Sequence, residues 1–325
     1  MPYLPQIRIL VPSAQVSSYT TGVLSLPSAR GAFVPPLSRG VVFGGIQSTR
    51  VNEIEYIDIT TTGNAVDFGD LSQNIYGMAG FGSSTRGVMG GGFPASGGSP
   101  YTANIEYITI ATTGNAQNFG QLTVAGDDSG ACSTNTRGLI VGGAGSRGVT
   151  IDYVTIATTG NATDFGDRSH SGNLPACHSS TTRGVFGGGV TVNVIDTVEM
   201  ATTGNATDFG DLTVARYGAG GCGSSTRALF MGGNNGGIQN TIDYVTIATT
   251  GNAIDFGDLT VARLAGASAC SSQLRGVYAG GAPASGNSNV IDYVTIATTG
   301  NATDFGDLTR EKRTTAALSN CHGGI

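Results

Sequence analysis

The triplet Asp-Phe-Gly occurs five times, beginning at Asp67, Asp164, Asp208, Asp255 and Asp304. In phosphoryl-transfer enzymes an aspartate so placed holds magnesium, but it works with a glycine-rich loop, a strand lysine and a catalytic loop. None of these accompanies the triplets, and five copies cannot all be one active site. The run Asn-Ala-Thr-Asp-Phe-Gly-Asp at 301–307 offers oxygen ligands at short spacing, yet lacks the alternating acids and distal bidentate glutamate of a calcium loop. Imidazoles are few: His170, His178 and His322, of which His178 follows Cys177 and His322 follows Cys321. No Cys-x-x-Cys or His-x-x-x-His spacing joins them. The expectation is therefore no catalytic residue, no metal site and no cofactor. Asparagine and aspartate at these places suit turns, because their side chains bond the local backbone and tolerate left-handed conformations.

These residues recur because the whole sequence recurs. The stretch IDYVTIATTGNATDFGDLT at 291–309 has six copies, with the glycine of the Gly-Asn-Ala turn at Gly63, Gly114, Gly160, Gly204, Gly251 and Gly300, at steps of 51, 46, 44, 47 and 49 residues. A period in that range marks a repeat architecture, and a repeat running almost end to end argues for a single domain over 1–325. Glycine reaches 53 residues, charged residues fall to 12% and tryptophan is absent, which disfavours helices and leaves strands and tight turns. The net charge of −6 and pI of about 4.9, with no basic run beyond Arg310–Arg313, exclude an electrostatic footprint for nucleic acid. The N-terminal residues carry neither the basic start nor the apolar core of a signal peptide, and no apolar run approaches spanning length, so neither secretion by such a peptide nor membrane insertion is expected.

Each repeat phases into four short strands. In the clearest copy these are 217–224, made mostly of small residues; 226–233, opened by Arg227; 241–250; and 255–263 after the Gly-Asn-Ala turn. β-Branched and aromatic residues fill the second and third, and glycine, asparagine and serine punctuate the joins. Small residues in the first strand suit the crowded axis of a radial array. Cys132, Cys177, Cys222, Cys270 and Cys321 each stand just before an arginine-bearing strand or its partial copy and read as small buried thiols. The sequons at Asn161, Asn205 and Asn301 read as turn residues, and Arg39, Arg86, Arg137, Arg183, Arg227 and Arg275, one per repeat, as structural. Residues 5–30 match the last two strands of a unit and 313–325 match the start of one. The expectation is an all-β, seven-bladed propeller of four-stranded antiparallel blades: six full blades over about 31–312, and a seventh, hybrid blade in which N-terminal strands pair with C-terminal ones to close the ring.

The pattern resembles the kelch repeat. The glycine pairs that end its hydrophobic strand are Gly44/Gly45, Gly91/Gly92, Gly142/Gly143, Gly188/Gly189, Gly232/Gly233 and Gly280/Gly281. The third-strand tyrosines are Tyr56, Tyr107, Tyr153, Tyr244 and Tyr293, with Thr197 departing. Phe68, Phe119, Phe165, Phe209, Phe256 and Phe305 stand where that family usually has tryptophan. A narrower resemblance, carried by TRGVFGGG at 182–189 and the repeat at 193–213, is to structural and tail-associated proteins of marine tailed bacteriophages, including those of cyanobacteria. It implies a virion component, assembled in the host cytoplasm among other virion proteins in multiple copies. Near-identity of 151–165 and 291–305 agrees with recent duplication.

Loops on one face of such a propeller repeat monotonously, whereas those joining second to third strands vary, which points to recognition on the variable face. The candidate binding residues are Gln47, Arg50, Pro100, Tyr101, Arg147, Asn234, Asn235, Gln239, Asn287 and Asn289. Their glycine-, serine- and asparagine-rich setting suits adaptable hydrogen bonding to a host cell-surface glycan or protein. The expected function is a non-enzymatic virion protein of the tail, a fibre or another exposed surface, mediating attachment. The alternatives are a capsid or tail decoration protein with no ligand of its own, and a carbohydrate-active propeller enzyme, which a convergent acid pair at the mouth of the ring would favour.

Overall fold

Runs such as Arg227–Met231, buried from Ala228 onward, do not alternate in polarity, and the reason is that each sheet is sandwiched between two others. A computed structural model describes residues 38–325 apart from 96–99, 191 and 265–267. It is a β-propeller of antiparallel four-stranded blades arranged around an axis. From the axis outward, blade 2 consists of Ala79–Gly82, Arg86–Gly90, Asn104–Thr109 and Gln117–Gln121. Blade 3 consists of Gly130–Ser133, Arg137–Val141, Thr150–Thr155 and Thr163–Asp167. Blades 4, 5 and 6 repeat this order from Ala176, Gly220 and Ala269.

The described residues form six blades, not seven. Blade 1 has Arg39–Phe43, Glu53–Asp58 and Val66–Asp70 as its outer three strands, and its innermost strand is Ala316–Ser319, with Val41 opposite Leu318 and Phe43 opposite Ala316. The C-terminal strand thus fills the first place in a blade that already existed, rather than founding another. Local sequence carries no mark of that, since a first strand reads alike whichever second strand receives it. Residues 5–30, the other half of the expected hybrid blade, lie outside the described residues.

The core lies between blades rather than within them. One cluster joins Val185, Ile195 and Phe209 of blade 4 to Phe230, Val245 and Ile247 of blade 5. Another joins Val277, Ile291 and Phe305 of blade 6 to Val42, Ile57 and Ile59 of blade 1. In each outer strand the phenylalanine of the Asp-Phe-Gly or Asn-Phe-Gly triplet sits at a register shift, Ile54 facing Gly69 while Glu55 faces Asp67, so that Phe68 is extra and turns inward. That bulge brings Phe68 edge-on to Tyr56, with centroids 6.0 Å apart.

Candidate functional site

The face carrying the Gly-Asn-Ala turns is taken up by blade-to-blade fastening. Each turn leans on the next outer strand: Gly251 N donates to Phe209 O at 2.8 Å, and Asn252 Oδ1 accepts from Asp211 N at 3.1 Å. The same two bonds recur at the junction of blades 6 and 1, from Gly63 to Phe305 and from Asp307 to Asn64. The Asp-Phe-Gly motif is explained here. A Cβ on Gly257 would lie 2.5 Å from Gly300 O, and its φ of +145° is one L side chains rarely adopt. The sequon asparagines Asn161, Asn205 and Asn301 are among those bonded this way.

The recurrent arginines fasten the same face. Arg227 stacks over Tyr244 at 4.7 Å and donates to Ile296 O of blade 6 at 2.9 Å, and Arg275 stacks over Tyr293 at 4.8 Å and donates to Ile59 O of blade 1 at 3.1 Å. Where Thr197 replaces the tyrosine, Arg183 instead sits 3.5 Å from Glu199 while keeping its bond to Ile247 O.

Deeper between blades run buried ion pairs. Arg216 with Asp243 and Arg263 with Asp292 are each 2.9 Å apart, and Lys312 with Glu55 is 2.6 Å apart, all of these side chains being at most 2% exposed. Arg168 and Asp196 stand 3.4 Å apart, with His170 ring atoms within 3.5 Å of Asp196 and 2.9 Å of Arg168. Burial, with Arg168 second, holds the His170 pKa below its ordinary value. At the junction of blades 2 and 3 the repeat has Gly126 where the copies at 212–216 and 259–263 have arginine. Arg147 enters from the loop instead, its Cγ and Cδ crowding the place a Gly126 Cβ would take, and it reaches Asp152 at 2.8 Å. Arg147 is fully buried.

The axial channel is narrow. Its lining, which includes Cys132, Cys177, Cys222, Cys270, His178 and His322, encloses about 40 Å³, space for little more than water. Serines bond from blade to blade around it: Ser133 Oγ to Gly82 O at 2.6 Å, Ser179 Oγ to Ser133 O at 2.8 Å and Ser271 Oγ to Gly223 O at 2.7 Å. His178 Nε2 donates to Ser224 O and His322 Nε2 to Gly82 O, each at 3.0 Å, while Gly324 N donates to His322 Nδ1 at 3.1 Å, so the His322 imidazole is neutral. Burial drives their pKa values down to about 3 and about 4. Burial likewise pushes the Cys132 and Cys222 thiols up to about 12. These are inert groups. Among the described residues no cluster of three His, Cys, Asp or Glu fit for a metal is found.

The opposite face carries the loops between second and third strands and the connections between blades. A loop in blade 5 bonds largely to itself: Asn234 Oδ1 accepts from Gly236 N, and Gln239 Nε2 donates to the Asn235 Oδ1 and Gly237 O, both at 2.8 Å. Asn287 Nδ2 reaches across to Gln47 O at 3.2 Å, and Gln47 Nε2 is buried without a partner. Asn289 lies within the third strand of blade 6, Ser288–Thr295, and is half-buried. Pro100 is exposed.

Arg50 and Tyr101 are brought together. The Arg50 guanidinium lies 4.5 Å over Phe93 and 5.3 Å over Tyr76; those rings stack 5.3 Å apart, and Tyr101 meets Phe93 edge-on at 5.8 Å. A short strand pair, Ile75–Tyr76 with Phe93–Pro94, holds the rings in register. Beside them stand Asp127 and Asp128. Burial pushes their pKa values up to about 6 and about 7, with the Asp127 charge adding to the second. Each has a buried Oδ1 without a hydrogen-bond partner. Burial first and Asp127 second raise the Tyr76 phenol. Sequence reasoning passed over Tyr76, Phe93 and both aspartates. The signal was there: Gly126-Asp127-Asp128 stands where the closest copy reads Arg216-Tyr217-Gly218.

Fold and faces together define a β-propeller with one fastening face and one face of individual loops. No protein-family model matches the chain, and no curated protein matches it.

Proposed function

We propose that this protein is a non-enzymatic, kelch-like recognition module of a tailed-bacteriophage virion, on the tail, a fibre or another exposed surface, that attaches through the variable face. The observation that supports it most directly is the division of labour between the faces. Gly-Asn-Ala turns, triplet glycines and recurrent arginines on one face are spent on neighbouring blades, while Arg50, Tyr76, Phe93 and Tyr101 gather on the other beside Asp127 and Asp128, each with one buried oxygen that lacks a hydrogen-bond partner. The virion setting is supported by the repeat resemblance around 182–213. Copies displayed on one particle would gain apparent affinity through effective concentration. Two measurements test the reading: quantitative mass spectrometry of banded particles, and adhesion of the purified protein to host cells. A few copies per particle and saturable adhesion are expected. Absence from particles overturns the virion setting, and adhesion unaffected by Arg50→Ala together with Tyr101→Ala overturns the assignment of the face.

A second reading, a carbohydrate-active enzyme, is favoured by one observation, the Asp127–Asp128 pair. A carboxyl that stays protonated near neutrality can act as a general acid. Release of reducing ends from host polysaccharide, lost in Asp128→Asn, would decide for it.

A further inference from the structure

Of the 16 lysine and arginine side chains one alone is a lysine, Lys312. It is fully buried at the junction of blades 6 and 1, in the place that Arg216 and Arg263 take in the copies at 212–216 and 259–263. Its partner changes with it, Glu55 standing where those junctions have Asp243 and Asp292. The exchange alters the chemistry on offer. A guanidinium keeps its proton in a protein, whereas an ammonium that gives one up becomes a nucleophilic amine.

The carboxylate is also held differently. Thr213 donates through Oγ1 to Asp243 Oδ1 and through N to Oδ2, and Thr260 serves both oxygens of Asp292 in the same way. At Glu55 both donors, Thr309 N at 2.9 Å and Thr309 Oγ1, converge on Oε1. That leaves Oε2 facing Lys312 Nζ at 2.6 Å, without the alignment of a hydrogen bond. A second carboxylate stands by: Glu53 Oε2 lies 3.4 Å from the same Nζ, and its Oε1 lies 3.3 Å from Arg310. The copies have Thr241 and Val290 at that position.

Two donors on one carboxyl oxygen, an amine against the other and an acid within reach of both are what acyl transfer requires. We propose that Lys312 and Glu55 condense to an isopeptide bond that ties blade 6 to blade 1 covalently. One Nζ proton passes to Glu55 Oε2, turning the buried ion pair into a neutral amine and acid. The Nζ lone pair then attacks Glu55 Cδ, and the charge developing on Oε1 is held by the Thr309 N–H and hydroxyl. Glu53 takes a second proton from Nζ and delivers it to Oε2. The Cδ–Oε2 bond breaks, water leaves, and Glu53 ends as it began. An ammonium and a carboxylate thus become an amide and one water, with no oxidant or co-reactant. Contact within the fold supplies what dilute solution lacks, an effective molarity of roughly 10⁵ M or more, and an amide in place of two charges relieves their desolvation. The bond is independent of whatever the variable face binds.

The test is the mass of the full chain, measured after unfolding. The parent is expected to be lighter than its sequence by one water, and its digest to contain the tryptic peptide 51–86 joined to 311–313. Reductive methylation of the unfolded parent should then modify the α-amine and leave Lys312 untouched. Lys312→Arg keeps the buried charge and should restore the full mass. Glu53→Gln keeps the pair but removes the proton carrier, and should delay the loss of water by about a hundredfold in a time course started at synthesis. Melting temperatures check that both variants fold; should either fail, the mass and digest of the parent decide alone. A parent at full mass with Lys312 open to methylation overturns the proposal. So does a water loss that maps to other residues or persists in Lys312→Arg, and condensation undelayed in Glu53→Gln overturns the step assigned to Glu53.

Discussion

Arg216 donates through one terminal nitrogen only, to Asp243 at 2.9 Å and to Phe230 O at 3.1 Å, while its Nε and other terminal nitrogen are buried without partners. Desolvation pulls its pKa down, against the pull of Asp243. Such a pair costs much to break and little to replace, because the penalty lies in the charge left behind. Asp243→Asn strands a buried guanidinium and weakens the acceptor used by Thr213 Oγ1 at 2.7 Å. It should destabilise by about 3–5 kcal/mol, lowering the melting temperature by roughly 6–12 °C at a few degrees per kcal/mol. The double variant Arg216→Met/Asp243→Leu removes both charges and should recover most of that, ending within about 2 kcal/mol of the parent. Between blades 1 and 2 Ile75 takes the place of the arginine and Glu106 is bonded by Ser72, as Asp243 is by Thr213. Scanning calorimetry of the parent, the single and the double variant is the assay. A single variant costing under about 1 kcal/mol, or a double variant as unstable as the single, would refute the reasoning.

Gly257→Ala drives a methyl against Gly300 O in a left-handed backbone and should cost several kcal/mol, seen as a lowered chemical-denaturation midpoint; Gly237→Ala, whose Cβ would meet only Gln239 Nε2 at an ordinary 3.9 Å, should change little. His178 and His322 titrate at about 3 and about 4 when folded against an ordinary 6.5, so the unfolded chain binds more protons between roughly pH 6.5 and 4 and stability falls on acidification through that window, by about 1.4 kcal/mol per pH unit per histidine. Denaturation measured at stepped pH should show His322→Gln flattening this slope, and an unchanged slope would count against the buried neutral imidazole. Asp127 and Asp128, raised to about 6 and about 7, work the other way: they favour the folded state below their ordinary range and lose that contribution as pH rises through 6 to 7. Asp128→Asn should therefore gain stability at pH 8 relative to pH 5. The thiols of Cys132, Cys177, Cys222 and Cys270, buried and shifted upward, should resist iodoacetamide at pH 8 until the chain is unfolded, as mass spectrometry would show.

Periodicity made strands, turns and faces legible, because each blade must satisfy the same neighbour in the same way. The small first strands pointed to the axis, and the six arginines to a structural duty, since one copy per blade fits a fastening better than a site. What eluded local reading was non-local. The place of 316–319 depends on which second strand is left unpaired, and the count of blades turned on it. Arg147 sat in a variable loop and looked free; its burial follows from the missing side chain at Gly126, far from it in the repeat frame. Asp127 and Asp128 became visible as a site only when the fold set them beside Tyr76, although the broken repeat at 121–128 had already marked the place.

The strand Ala316–Ser319 has a consequence for biogenesis. Among the described residues the inner edge of Arg39–Phe43 is paired by Ala316–Ser319, which is made only after nearly the whole repeat array. An open strand edge is a template for foreign pairing, so a chain that has made Arg39–Phe43 but not yet 316–319 carries an aggregation hazard at that edge. Once 316–319 docks, the hazard vanishes and the first and last strands of the ring hold each other, so that no blade can peel away without tearing the interior of another. Folding of the ring and slow unfolding then turn on the same latch, and a chain cut short near residue 310 would yield aggregates rather than a smaller propeller.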